Sequence, residues 1–394
     1  MTLKREDVVP HLKEGKKVDL YMSEGKVYTI AKFINKFKSK VDNKEKKILN
    51  EQIELFEKRI PSYLLNPLTR SSWLNKGNKK IIVNRGGARS AFWEKEKLKL
   101  KGCRPIKDLR FPIEYLEFGS TEMVSGEINF GTMSIEGVLS EILAYCFFRK
   151  FSIPINQTPV AVFEYTSKGK IIGYCIVVRT PRDARLEKDL DYFGLSVKDL
   201  IKIKHLEKKF KIRFLNGEVG FKGVNQEWYS KSKSDLLLRM NFKGGFRGIL
   251  NSNIGNDLEY NGQLFITDFD TFNVVDIPKK PSQKFLNNFV LWCVVEVLKT
   301  CPTVWDYIDL EDEKEAVELL TNSFYENSQL WKCYNKGFMQ NVNKLNWNKE
   351  KVNKAFEFVK KSKIYYEMIL DVVPNSKLIK ETYSPELSFY MPHA

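Results

Sequence analysis

The chain has 394 residues, 43% of them hydrophobic, with 65 lysines and arginines against 49 acids and a formal charge of +16. That length and apolar content suit two or three domains, or one two-lobed enzyme domain with an extension, and exclude a disordered or fibrous chain. The charge favours acidic partners, namely nucleotides, nucleic acid or an anionic membrane surface, against the alternative of a solvated lysine-rich face with no ligand. Cys103, Cys146, Cys175, Cys293, Cys301 and Cys333 are widely spaced with no Cys-x-x-Cys pair, so they read as reduced core thiols. His11, His205 and His393 are scattered, which leaves histidine triads and zinc sites without support. The opening Met-Thr-Leu-Lys-Arg-Glu-Asp lacks the apolar core of a signal peptide; a cytoplasmic location is expected, with delivery by a specialised secretion system left open.

In chain order, residues 1–75 mix a charge-laced helical stretch from Lys36 to Lys58 with the breakers Pro61, Asn66 and Pro67, and read as an N-terminal capping extension. Residues 76–178 read as strand-rich. Lys79 to Asn84 is a strand, Arg85-Gly86-Gly87 a glycine turn, and Phe92 to Leu100 a second strand running into Lys101. A glycine pair there lets backbone amides approach a phosphate, and is equally a plain hairpin turn.

Ser134 to Lys150 carries Val138, Leu139, Ile142, Leu143, Tyr145, Cys146 and Phe147 at helical spacing, with Ser134 as N-cap. Glu141 falls on the border or inside of that apolar face. A buried carboxylate needs a cation, and Lys101 is the candidate; the alternative is that Glu141 reaches water at the helix edge. Strands Thr158 to Tyr165 and Lys170 to Val178 follow, joined by Ser167-Lys-Gly169. The second runs into Arg179-Thr-Pro-Arg182-Asp-Ala-Arg185, whose arginines either clamp phosphate oxygens or form surface ion pairs with Asp183, Glu187 and Asp189.

Residues 179–394 read as mainly helical. Within them Asn261-Gly262 is a two-residue hairpin signal, and Leu264 to Thr267 is the strand that leaves it. That hairpin brings Asp268 back beside Asn253, an amide and a carboxylate that outline a divalent-metal site. Protein kinases hold magnesium against nucleotide phosphates with such a pair, and Thr267-Asp268-Phe269-Asp270 differs from Thr-Asp-Phe-Gly only in its last residue. Helices are expected at Phe285 to Leu298, Glu311 to Ser323, Gln329 to Lys336 and Trp347 to Met368. The first contains Asn287, Asn288 and Glu296 and is shorter than the roughly 20 residues of a membrane span, so it reads as a buried helix.

Taken in order, these motifs resemble the selenoprotein O family of kinase-fold protein adenylyltransferases over roughly residues 80–276. Leu100-Lys101-Gly102-Cys-Arg104-Pro105 resembles the family's nucleotide-lysine segment, and Glu141-Ile-Leu-Ala144 through Ser152-Ile-Pro154 its glutamate helix. Gly248-Ile-Leu-Asn-Ser-Asn253 resembles its metal-binding loop, Asp268 falls on its metal-binding aspartate, and Arg179 and Arg185 resemble two arginines that receive a flipped nucleotide, at a spacing one residue tighter. Ser252 or a deletion stands where the family has an aspartate, the Asn253–Asp268 segment is longer, and Asp270 replaces a glycine.

The resemblance implies an α+β, protein-kinase-like bilobal fold and an ATP-dependent transferase with Mg²⁺ or Mn²⁺. Lys101, Glu141, Asn253 and Asp268 would form its catalytic set, and Asn253 and Asp268 its metal ligands. Arg85, Gly86, Gly87, Lys101, Arg179 and Arg185 would bind nucleotide. Adenylyl transfer to a hydroxyl on a protein acceptor is the leading expectation. Phosphoryl transfer and a noncatalytic pseudokinase binding an acidic partner are the rivals, and nucleic acid is a weaker partner because Trp228, Tyr229 and Trp331 form no stacking pattern.

Overall fold

The computed structural model describes residues 17–18, 25–60, 81–83, 90–93, 97–102, 133–167, 170–180, 226–247, 257–298, 325 and 328–361. The architecture is mixed α+β. A seven-stranded antiparallel sheet contains β1 (Lys17–Val18), β2 (Gly25–Thr29), β3 (Ile81–Val83), β4 (Ser90–Trp93), β5 (Leu98–Lys101), β6 (Thr158–Ser167) and β7 (Lys170–Arg179), in the order β1-β3-β4-β5-β7-β6-β2. The stretch expected as one strand from Phe92 to Leu100 is two. β4 and β5 pair with each other, Phe92 against Lys99 and Trp93 against Leu98, and Lys97 turns the chain with φ 53°.

The amphipathic helix α1 (Ile30–Phe37) follows β2 directly, with Thr29 as its N-cap, and α2 (Asn43–Gln52) begins with a capping box in which Asp42 and Glu45 each accept the other's backbone N–H. Helix α3 (Ile135–Lys150) starts at Ser134, whose Oγ accepts from Gly137 N at 3.0 Å. All residues from Gly137 to Phe148 are buried, so α3 has no solvated face over its middle turns. It is inserted in sequence between β5 and β6 and packs on the sheet face that carries Ile176 and Val178.

The remaining elements are mainly helical: α4 (Gln226–Asn241), α5 (Gln283–Leu298), α6 (Gln329–Lys344) and α7 (Lys349–Lys361). Their aromatic core centres on Phe242, Phe289, Phe338 and Trp347, with centroid separations of 5.1–6.0 Å. Between α4 and α5 lie two short ribbons, β8 (Gly245–Phe246) with β11 (Asn273–Val274), and β9 (Asp257–Tyr260) with β10 (Gln263–Ile266). Asn261 and Gly262 form the β9–β10 turn with φ 53° and 75°, the pair of positive angles a type I′ turn requires.

The helix expected over Phe285 to Leu298 is α5, starting two residues earlier, and the one at Gln329 runs on to Lys344. The helix expected at Glu311 to Ser323 lies outside the described residues. No helix among the described residues is long and apolar enough to cross a membrane. Cys146, Cys175, Cys293 and Cys333 are free thiols, the first three buried.

Candidate functional site

Strand β5 ends in Lys101, with Ile176 of β7 as its register partner. Strand alternation points Lys101 toward α3 while Leu98 and Leu100 fill the opposite face. Nearly two turns into α3, Glu141 is 4% exposed, and its Oε1 accepts from the Lys101 ammonium. Asp268 Oδ1 accepts from the same ammonium at 2.7 Å. Glu141 Oε1 also accepts the backbone N–H of Phe269 at 3.0 Å, so one carboxylate ties the lysine of the sheet to the segment beyond β10.

A lysine gripped by carboxylates from two distant segments is costly to desolvate and persists only where paired. The three groups differ in exposure: the side chains of Lys101 and Glu141 are 8% and 3% exposed, whereas Asp268 is 23% exposed. Water, or a ligand, therefore reaches the cluster from the Asp268 side. Asp268 adopts φ 68°, a left-handed conformation rare for a non-glycine residue and tolerated best by Asp and Asn. The turn that follows is closed by Phe272 N donating to Phe269 O at 2.9 Å. Phe269 and Phe272 are buried against Phe147 and Phe148 of α3, with centroids 5.0 and 5.3 Å apart in the closest pairs. Burying such a side chain contributes about 1.5–3 kcal/mol, so aromatic packing as well as charge fixes Asp268 relative to Glu141.

Gly102, just past Lys101, has φ +87°; a Cβ there would sit 2.5 Å from Tyr174 O and 2.7 Å from Met133 Cγ. Met133 and Tyr174 exchange both backbone hydrogen bonds at 2.8 Å across this point. The strand end carrying the lysine is thus clasped by backbone on its far side.

Of the residues singled out in the sequence, the structure brings together Lys101, Glu141 and Asp268. Arg179 stands elsewhere: it is the register partner of Leu98, which by alternation puts it on the face opposite Lys101, and its Nη2 lies 3.8 Å from Glu57 Oε1. Arg85, Gly86, Gly87, Arg185 and Asn253 lie outside the described residues. Lys99 was not singled out, yet it is 1% exposed and shares the Lys101 face two residues away. The signal for it was the alternation Leu98-Lys99-Leu100-Lys101, which places both lysines on one face as soon as both leucines are assigned to the other.

Beneath this site lies a second charged cluster. Arg247, which follows β8, is fully buried; its backbone N–H donates to Glu296 Oε1 of α5 at 2.7 Å and its Nη1 to Thr267 O at 3.5 Å. Burial pushes the Glu296 carboxyl up to about 7, against the opposing pull of Arg247 and of the fully buried Lys233 on α4. Asn241 donates to Tyr334 OH at 2.9 Å, and burial holds the Tyr334 and Cys293 protons far above their usual ranges. Arg247 binds the carbonyl immediately before Asp268, so this cluster supports the backbone of the exposed site.

A hard cation such as Mg²⁺ is bound through one or two carboxylates together with substrate phosphates. Asp268, partly exposed beside a lysine, fits that role; Glu141, sealed and occupied by Lys101 and Phe269 N, does not. No group of three or more His, Cys, Asp or Glu side chains placed to hold a metal occurs among the described residues. No family model, characterised protein or solved structure matches this chain.

Proposed function

We propose that this chain is an ATP-dependent transferase with a protein-kinase-like fold that moves AMP from ATP to a hydroxyl on a protein acceptor. The observation that carries the reading is the Lys101 ammonium held by Glu141 from a helix and by Asp268 from the end of a hairpin. Phosphate-transfer sites of the kinase type need a lysine oriented by a helix glutamate beside a metal-binding aspartate. The element order supports the same reading. Strands β3, β4 and β5 precede the glutamate helix, β6 and β7 follow it, and β7 inserts between β5 and β6 in the sheet.

In this reading the nucleotide phosphates replace part of the carboxylate grip on Lys101, which neutralises their charge while Glu141 keeps the ammonium oriented. Asp268, with Asn253, would hold Mg²⁺ or Mn²⁺, which supplies further neutralisation of phosphate charge. The acceptor oxygen bonds to the α-phosphorus, the bond from that phosphorus to the pyrophosphate oxygen breaks, pyrophosphate leaves and the hydroxyl proton passes to solvent or a base. Positioning and electrostatics dominate such transfers, so they do not require a strong base.

Phosphoryl transfer is the second reading. It is favoured by one observation, the placement of Arg179 on the face away from Lys101 and beside Glu57, since the flipped nucleotide needs that arginine at its terminal phosphates. Incubation with ATP labelled separately at the α- and γ-phosphates, with Mg²⁺ or Mn²⁺ and Asp268→Asn as control, decides between them. Retention of α-label alone supports adenylyl transfer and γ-label alone makes the protein a kinase. Retention of neither, with no ATP binding, would overturn both.

A further inference from the structure

The two carboxylates on Lys101 come from α3 and from the segment after β10, and a third element touches both. Helix α2 lies against α3 on one side, where Ile48 and Leu49 are buried in the shared core and Lys150 Nζ meets Glu51 Oε2 at 2.5 Å. From the first turn of α2, Lys44 Nζ reaches Asp276 Oδ1 at 2.7 Å, and the backbone N–H of Val274 donates to the buried Glu45 carboxylate. The flanks of α2 extend the same contact. Lys40 reaches Glu136 in the first turn of α3 at 3.2 Å, and the Phe56 ring lies 5.5 Å from Tyr145, one turn beyond Glu141. Strand β2 anchors the segment to the sheet, pairing Gly25–Thr29 with Tyr165–Ala161, and the buried Glu164 accepts from Lys36 at 3.1 Å and Tyr28 at 3.2 Å.

We infer that residues 25–57 are a positioning element of the site: a brace that sets the separation between the Glu141 helix and the Asp268 segment at which both carboxylates reach Lys101. The inference rests on the transferase reading for its importance to turnover, but its structural content concerns the Lys101 grip alone. A bare cover over α3 would need contact with α3 only. This segment forms charged or hydrogen-bonded contacts at both ends of α3 and with the strand that follows Asp268, so displacing it frees two of the three members of the cluster at once.

The test uses the full chain. Glu51→Lys and Lys150→Glu each turn an attractive pair of partly exposed groups into a repulsive one, and the double reversal restores it; Glu45→Ala, in a separate variant, removes the contact to Val274 together with the Glu45 half of the capping box. The readouts are acylation of Lys101 by an amine-reactive probe, assigned by mass spectrometry with Lys101→Met as control, and amide hydrogen exchange. Each single variant is expected to raise Lys101 acylation by about threefold or more and to loosen 135–150 and 269–274 together, with the double reversal returning both toward wild type. Loosening confined to 43–52, with Lys101 acylation unchanged in the reversal singles and in Glu45→Ala, would overturn the brace. If Glu45→Ala fails to fold, the surface reversals still decide. Neither readout involves ATP, so a wild-type protein that retains neither label and binds no ATP defeats the transferase reading and leaves the brace to be judged on Lys101.

Discussion

Two of the buried charge clusters among the described residues are built differently. Around Lys101, one cation meets two carboxylates, the groups come from a strand, a helix and a hairpin end, and Asp268 keeps contact with solvent. Around Glu296, one carboxylate lies between two fully buried cations, and Arg247 Nε and Nη2, Glu296 Oε2 and Asn241 Oδ1 make no hydrogen bond among the described residues. The first cluster opens to solvent at Asp268, which in the proposed reading suits exchange of a carboxylate for metal and phosphate. The second is sealed and grips backbone, at Arg247 N and Thr267 O, which suits support rather than exchange. The two clusters differ in access to solvent, and the proposed reading rests on that access rather than on burial alone.

The contrast is broken most severely at Lys101. Lys101→Met leaves Glu141 and Asp268 facing each other without a cation, a change worth about 3–5 kcal/mol in buried pairs. Transfer from labelled ATP is expected to vanish and the denaturation midpoint to drop; retained transfer would remove Lys101 from the site. Asp268→Asn comes next. Asparagine tolerates the left-handed backbone and keeps the shape, so the variant is expected to melt within a few degrees of wild type while losing about 100-fold or more in transfer.

At the sealed cluster the expected effect is on stability and its pH dependence. The Glu296 carboxyl lies at about 7 in the fold against 4.5 as the ordinary value, so the native state holds a proton that the unfolded chain releases. The resulting stability is fully present below about pH 4.5 and lost by about pH 7, roughly 3 kcal/mol for a shift of that size. Urea denaturation at pH 5 and pH 8 should show wild type weakening over that interval, and Glu296→Gln should show a shallower decline. An unchanged slope would mean that Glu296 is ionised throughout. The smallest effect is expected at the β9–β10 turn, where Asn261→Ala places alanine at positive φ and should cost about 1 kcal/mol in stability, with transfer changed less than twofold.

Much of the exposed site was legible because its signals are local. The Ser134 cap and the 3.6-residue apolar spacing give α3, and Glu141 falls on the border or inside of its apolar face, where a partner cation is one of two readings and the one the structure shows. The Asn261-Gly262 pair gives the hairpin that delivers Asp268. What escaped reading is non-local or atypical. Gly25–Thr29 becomes an edge strand only by pairing with residues more than a hundred positions later, and nothing in its own pattern states that register. Helix α4 hides because its buried side carries Ser230, Lys233 and Ser234 among its apolar residues, so the contrast between its faces is weak. Glu296 read as one polar residue in a buried helix. Its partner, Arg247, is fixed by tertiary contact alone. The break at Lys97 was missed because a lysine at positive φ carries no turn signature.

Gly102 limits how this chain can vary over generations. With φ +87° and the Tyr174 carbonyl 2.5 Å from where a side chain would begin, position 102 admits no other residue unless the strand end moves, and that strand end is Lys101. Drift at 102 is therefore screened through the lysine beside it. In a saturation library the two positions should tolerate change together or not at all, and a descendant that has lost the Lys101 grip should betray itself first by a side chain where the glycine stood.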